Sequence, residues 1–217
     1  MISFISAPRC GSTWVFEYIK NFNIQKHNAL TFPRDEFLNR DFNVWLERND
    51  NVYRYRDDWK DLDSKLKFLE ENSRYTYKTH VNHVKDQKDR YLDLIKENHV
   101  VILKRKDTWR AFLSFLVRKH LVVNNIPTDI VHQYESKDFP DMKIELRPVV
   151  DDWFLNNLKL LDSYRGEVLY YEDLHDLELE HTFGVKAKSV IKNDIDYEKY
   201  ITDLDFVRSF YLSQSLS

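Results

Sequence analysis

The stretch "HVVILKR" at residues 99–105 limits the architecture more than any other. Its apolar residues are continuous rather than alternating. A strand of that kind is covered on both faces, the situation of a central strand in a parallel sheet. A helical pattern follows at once over Asp107–Val122. Asp107 is placed to cap it, and Trp109, Phe112, Leu113 and Leu116 form one apolar face. The same alternation recurs along the chain. Residues 2–7 read as a buried strand and Thr13–Phe22 as a helix, with Trp14, Tyr18 and Phe22 at helical spacing. Leu62–Glu71 is amphipathic and helical, "RYTYKTH" (74–80) is β-rich, and His83–Glu97 is a charged helix. A helix over Leu146–Tyr164, starting after Pro148, leads to the strand "EVLYYED" (167–173). Two short helices follow, the last near Tyr197–Tyr211. Strands alternating with helices predict an α/β fold, three-layered, around a mainly parallel sheet. The 217 residues predict a single domain, with a helix near Arg34–Glu47 and excursions at 23–60 and 123–143 as acceptor-site insertions.

Charge and composition narrow the function classes. With 33 basic and 36 acidic residues the chain carries no strong overall field, so nucleic acid is not an expected partner. A local basic pocket is compatible with that balance. No stretch approaches the ~20 apolar residues of a membrane span, and no basic region precedes a long apolar run near the start. A single cysteine, Cys10, forms no intramolecular disulfide and fits a reducing compartment, so an intracellular, cytoplasmic location is expected. Aromatics make up 15% of the chain, for a large aromatic core or the lining of an organic pocket.

The chain has three glycines, and one stands in "FISAPRCGSTW" (4–14), between the first strand and the first helix. Such a junction is a ready-made anion site, because the first helical N–H groups are free and the helix dipole favours negative charge. Gly11 allows close backbone approach, Ser12 and Thr13 add hydroxyls, and Arg9 adds a permanent charge. Cys10, beside Arg9 at a helix N-terminus, is expected to be a reactive thiol, protected by a bound ligand. The segment is not a Walker A loop: the second glycine and the lysine are missing. An ordinary strand-to-helix turn is the plain alternative.

"PRCGSTW" resembles the 5′-phosphosulfate loop of sulfotransferases that use 3′-phosphoadenosine-5′-phosphosulfate (PAPS) as donor. Three further segments resemble that family in order: "YKTHVNHV" (77–84), "LKRKDTWRAFLSF" (103–115) and "LYYEDL" (169–174). Together they span residues 5–174. The resemblance implies a P-loop nucleotide-hydrolase-like sulfotransferase fold and transfer of a sulfuryl group to a hydroxyl of a small molecule or glycan. The product would be 3′,5′-bisphosphoadenosine, and no metal is required. It implies that the amides of Cys10, Gly11, Ser12, Thr13 and Trp14 cradle the 5′-phosphate and sulfate. Arg9 and Lys78 would neutralise the transferring group and His80 would be the general base. Arg105 and Ser114 would hold the 3′-phosphate, with Lys106 as the alternative cation, and Trp14 and Tyr171 would approach the adenosine. His83 and Glu36 are rival bases. The family's glycine-rich nucleotide loop is absent; Lys186 and Lys188, in "GVKAKSVIKND" (184–194), stand in its place. Arg110 and Arg118 read as solvated surface. Two other readings remain at this stage, a kinase or phosphoryl transferase of related fold and a non-catalytic anion-binding module.

Overall fold

A computed structural model describes residues 1–32, 35–40, 42, 59–124, 148–186, 196–201 and 203–215. Its main sheet has four strands: β1 (Ile2–Ser6), β4 (Lys78–His80), β5 (His99–Lys104) and β6 (Glu167–Tyr170). They lie side by side in the order β4-β1-β5-β6, and every pairing is parallel. Two further short strands, β2 (Leu30–Thr31) and β3 (Tyr75–Thr76), pair in parallel as a separate ribbon. The segment 74–80, expected as one strand, is therefore divided between two sheets. Tyr77 is the joint; Lys78 stays in register with Phe4 of β1, and its N–H donates to the Asp35 carbonyl at 2.7 Å.

The helices are α1 (Ser12–His27), α2 (Leu62–Glu71), α3 (Val81–Val84), α4 (Lys88–Ile95), α5 (Thr108–Val123), α6 (Pro148–Leu160), α7 (Asp176–Phe183) and α8 (Leu204–Ser215). The expected 83–97 helix is broken: a 3-10 turn at Lys85–Gln87 separates α3 from α4. Helix α1 runs five residues past the expected end, so the start of the 23–60 segment is helical. Asn23, fully buried, explains the extension. Its amide accepts from the Ile2 N–H and donates to the Ile2 carbonyl, both at 2.8 Å, and also donates to Thr76 Oγ1 at 2.9 Å. One polar side chain thus ties the helix to β1 and β3. Within the helix expected near 34–47, residues 35–40 form bends and turns and not a helix; its other residues except Phe42, and most of the 123–143 segment, lie outside the described residues.

Phe4 and Ile5 of β1 and Ile102 of β5 are buried in one cluster with Val15, Phe16 and Ile19 of α1. A second apolar cluster joins α5, α6 and α8 through Phe112, Leu116, Phe154 and Val207. Many of the aromatics gather around Phe32, whose ring stacks on Phe37 at 3.8 Å and on Tyr75 at 4.4 Å and meets Trp59 edge-on. Among the described residues no helix is long and apolar enough to cross a membrane.

Strand order positions the site. In chain order the four main strands run second, first, third, fourth. The connection after β1 leads to one side and the connection after β4 to the other. A crevice forms outside the carboxyl ends of strands at such a reversal, which falls between β1 and β5. The register sets Ser6 opposite both His80 and Leu103, and Lys104 opposite Tyr170. The segments after β1, β4, β5 and β6 therefore open onto one edge of the sheet.

Candidate functional site

A cavity of about 450 Å³ lies at that edge. Arg9, Gly11, Ser12, Thr13 and Trp14 line it from the first loop, Lys78 and His80 from the end of β4, Arg105 from the end of β5, Ser114 from α5 and Tyr171 from the end of β6. Residues more than a hundred positions apart share one wall of it. Glu36, the rival carboxylate, lines it too, as do His83 and Tyr197.

The first loop carries two left-handed residues, Arg9 at φ 63° and Gly11 at φ 76°. For arginine that conformation is strained, and strain of this kind gathers where a loop is held to a task. Gly11 has a second reason to lack a side chain. A Cβ there would come within 2.1 Å of the Tyr171 ring. The space over Gly11 is thus filled by Tyr171 and is not left open for close approach of a ligand, which corrects the reason expected from sequence for this glycine. Tyr171 is in turn covered by the Arg105 guanidinium, 4.4 Å from the ring centre, and meets Trp14 edge-on.

Cys10 departs from expectation. Its side chain is fully buried and does not line the cavity. Burial pushes the thiol up to about 12, against the opposing charges of Arg105 and Arg9. A buried, protonated thiol is inert, so the expected reactivity does not hold. The helix N-terminus favours a thiolate only when the sulfur faces the anion side.

The cations are arranged differently from the pairing expected. Arg9 Nε and Nη2 donate to Ser114 Oγ at 3.2 and 3.1 Å, and Ser114 also bonds Tyr197 Oη at 3.3 Å. Burial and the nearby Arg118 charge pull the Arg9 guanidinium down to about 10. Arg105 instead donates to Glu172 Oε1 at 2.6 Å. Burial opposes the Glu172 charge, yet the Lys106 N–H and Arg105 hold its carboxyl below the usual range. Lys106 turns away to Asp173 at 2.6 Å and does not line the cavity, so Arg105 is the member of that pair that faces it. Lys186 does not line it either, and Lys188 lies outside the described residues.

At the β4 end, Lys78 Nζ donates to Thr13 Oγ1 and pairs with Glu36 Oε1, both at 3.1 Å. The same carboxylate oxygen stands 3.3 Å from His80 Nε2, and Asn39 Nδ2 donates to Oε2 at 3.1 Å. Burial opposes the Glu36 charge, but the His80 bond, the Lys78 charge and the Asn39 bond outweigh it and hold the carboxyl far below its ordinary range. Burial pushes His80 down, with Glu36 partly offsetting it, so the imidazole is neutral. Facing an ionised carboxylate, Nε2 carries the ring proton, and Nδ1 accepts from Ser6 Oγ at 2.9 Å. Both ring nitrogens are engaged. His83, ring centre 5.1 Å from His80, is pushed down to about 3, chiefly by burial.

Several partners were not legible in sequence. Ser6, Asn39, Glu172 and Tyr197 complete the network, and Asp176 accepts from Trp14 Nε1 and Tyr18 Oη, both at 2.7 Å. Only Glu172 had a signal, its place in "YYED" at a strand end. No family model matches the sequence, and no curated protein matches it.

Proposed function

We propose that this chain is a PAPS-dependent sulfotransferase with a P-loop-like three-layer fold, acting on a hydroxyl of a small molecule or glycan. One observation carries the reading. The four segments that resemble the sulfotransferase family converge on one cavity; among the described residues six cationic side chains and one carboxylate, Glu36, line it. That carboxylate is already engaged by Lys78, so the wall as a whole favours a polyanionic ligand.

When bound, the donor supplies a sulfuryl group that passes from a phosphate bridge oxygen to a hydroxyl, with release of one proton. The chain's residues have three tasks. The amides at the start of α1, with Ser12 and Thr13, hold anionic oxygens at the positive end of the helix. Arg9 and Lys78 balance charge, and Arg9, bonded to Ser114, ties that function to the 3′-phosphate position. His80 and Glu36 hold the released proton as a pair. In the ground state Nε2–H points at Glu36, so neither group is a base by itself. A hydroxyl entering the cavity would meet the carboxylate and the imidazole as one hydrogen-bonded unit.

Thermal shift tests the donor reading. 3′,5′-Bisphosphoadenosine without metal should raise the melting temperature, since a ligand at a hundred times its Kd stabilises the native state by about 2.7 kcal/mol. A shift with magnesium-ATP and none with the bisphosphate would instead place the chain with the phosphoryl transferases. Binding of the bisphosphate with no sulfate transfer to any acceptor would make it an anion-binding module.

A further inference from the structure

The cavity extends beyond the proposed donor positions. Past Ser114 it follows α5 for two more turns, where Phe115, Arg118, Lys119, Val122 and Val123 line it. Trp153 of α6 lines it beside Phe115, the two ring centres 6.1 Å apart. Asn82 and His83 of α3, next to His80, line it as well. Helix α3, which follows His80 directly, packs against α6, the helix that carries Trp153.

Its chemistry is of two kinds. Val122, Val123 and Trp153 are exposed, at 55%, 51% and 38%, and Phe115 stacks behind them on Phe154 at 4.6 Å. These make an apolar surface that water covers at a cost. Between them stands Arg118, one turn beyond Ser114, with no hydrogen-bond or ion-pair partner among the described residues. Its charge reaches Arg9 and works against it. Two guanidinium groups repelling each other on one cavity wall are relieved when an anion arrives.

Resting on the sulfotransferase reading above, we infer that the acceptor is an apolar hydroxy compound that also carries an oxyanion. Its apolar body lies against Phe115, Val122 and Trp153, and its anion pairs with Arg118. The hydroxyl is then left facing Glu36 and His80. A neutral alcohol of the same shape would leave Arg118 without that partner and bind more weakly.

Matched probes test this by titration calorimetry. 4-Hydroxyphenylacetate and its neutral amide, 4-hydroxyphenylacetamide, are titrated into the protein alone and into the protein saturated with 3′,5′-bisphosphoadenosine. The acid should bind about tenfold more tightly than the amide, and 4-hydroxyphenyl phosphate should share that advantage. Arg118→Ala should abolish the advantage and leave amide binding unchanged. Equal binding of acid and amide, binding of neither, a phosphate no better than the amide, or an advantage that survives Arg118→Ala each overturn the inference. So does an Arg118→Ala variant that loses the bisphosphate but not the acid, because the guanidinium would then serve the nucleotide. If the bisphosphate itself does not bind, the donor reading falls. The acid-to-amide ratio on the protein alone still decides whether the anion subsite exists.

Discussion

At the residue scale, Gly11 and Tyr171 form a lock that ties β6 to the first loop. The ring fills the space a side chain would need, and the loop at that point is left-handed. Gly11→Ala should therefore destabilise the protein through two causes, ring collision and a strained φ, the second alone of order 1–3 kcal/mol. Urea unfolding of Gly11→Ala in the native background and in Tyr171→Ala separates them. The cost should be smaller when the ring is gone, and the remainder is the backbone term. An equal cost in both backgrounds would mean that the ring moves aside freely. The proton-handling pair belongs to the same scale. Ser6 and Glu36 fix both nitrogens of His80, so the imidazole is held in one tautomer by residues from two separate segments.

At the scale of elements, α5 is the spine of the site. It brings Ser114 to Arg9 at one level and Arg118 to the open end one turn later. Asp107 starts it correctly: its side chain accepts from the Arg110 N–H at 2.8 Å. Asp107→Ala should cost about 1 kcal/mol, read as a lower urea midpoint with an unchanged slope. A loss of bisphosphate affinity much larger than the stability change would show that the cap also sets the position of Arg105, two residues before it. This helix was legible in sequence to within a residue at each end, because its cap and apolar face both point the same way. The 74–80 segment was not. Its alternation is that of a strand throughout, and the break at Tyr77 depends on a carbonyl of Asp35 that no local pattern announces. The 83–97 helix failed for a related reason, since periodicity carries across a 3-10 turn that keeps side chains on nearly the same face.

At the scale of the whole molecule, acid should unfold the protein through the site. Glu36 is held far below its ordinary range, so the stability it contributes is present above the unfolded carboxylate pKa, near 4.5, and is lost as pH falls below that. His83 is neutral in the fold down to about 3, whereas in the unfolded chain it takes a proton near 6.5. Its effect has the same sign: stability falls as pH drops from about 6.5 toward 3, because the unfolded state binds the extra proton. His80, also pushed down, adds to that upper window. The melting temperature should therefore decline between pH 7 and 5, before carboxylates titrate. His83→Gln should flatten that part of the curve and leave the decline below pH 4.5 in place. A curve that is flat above pH 5 in the native protein would contradict the buried, neutral state of both histidines.

What the sequence by itself determined was the alternation of strands and helices, the parallel character of the sheet, and the residue types at the strand ends. These follow from local rules: a continuous apolar run, a capped amphipathic helix, a turn with glycine. It also placed Arg9, Lys78, His80, Arg105 and Ser114 in segments that end at one edge of the sheet, because parallel strands bring their carboxyl ends together. Which cation meets which partner was decided only by tertiary structure. Arg105 pairs with Glu172 and Arg9 with Ser114 because strand order sets β6 next to β5 and folds α5 over the first loop. Gly11 answers to a ring 160 positions away, and the Cys10 sulfur turns into the core and not toward the anion side. These outcomes depend on long-range packing and on which face of a loop is covered, and neither is encoded in the spacing of residues along the chain.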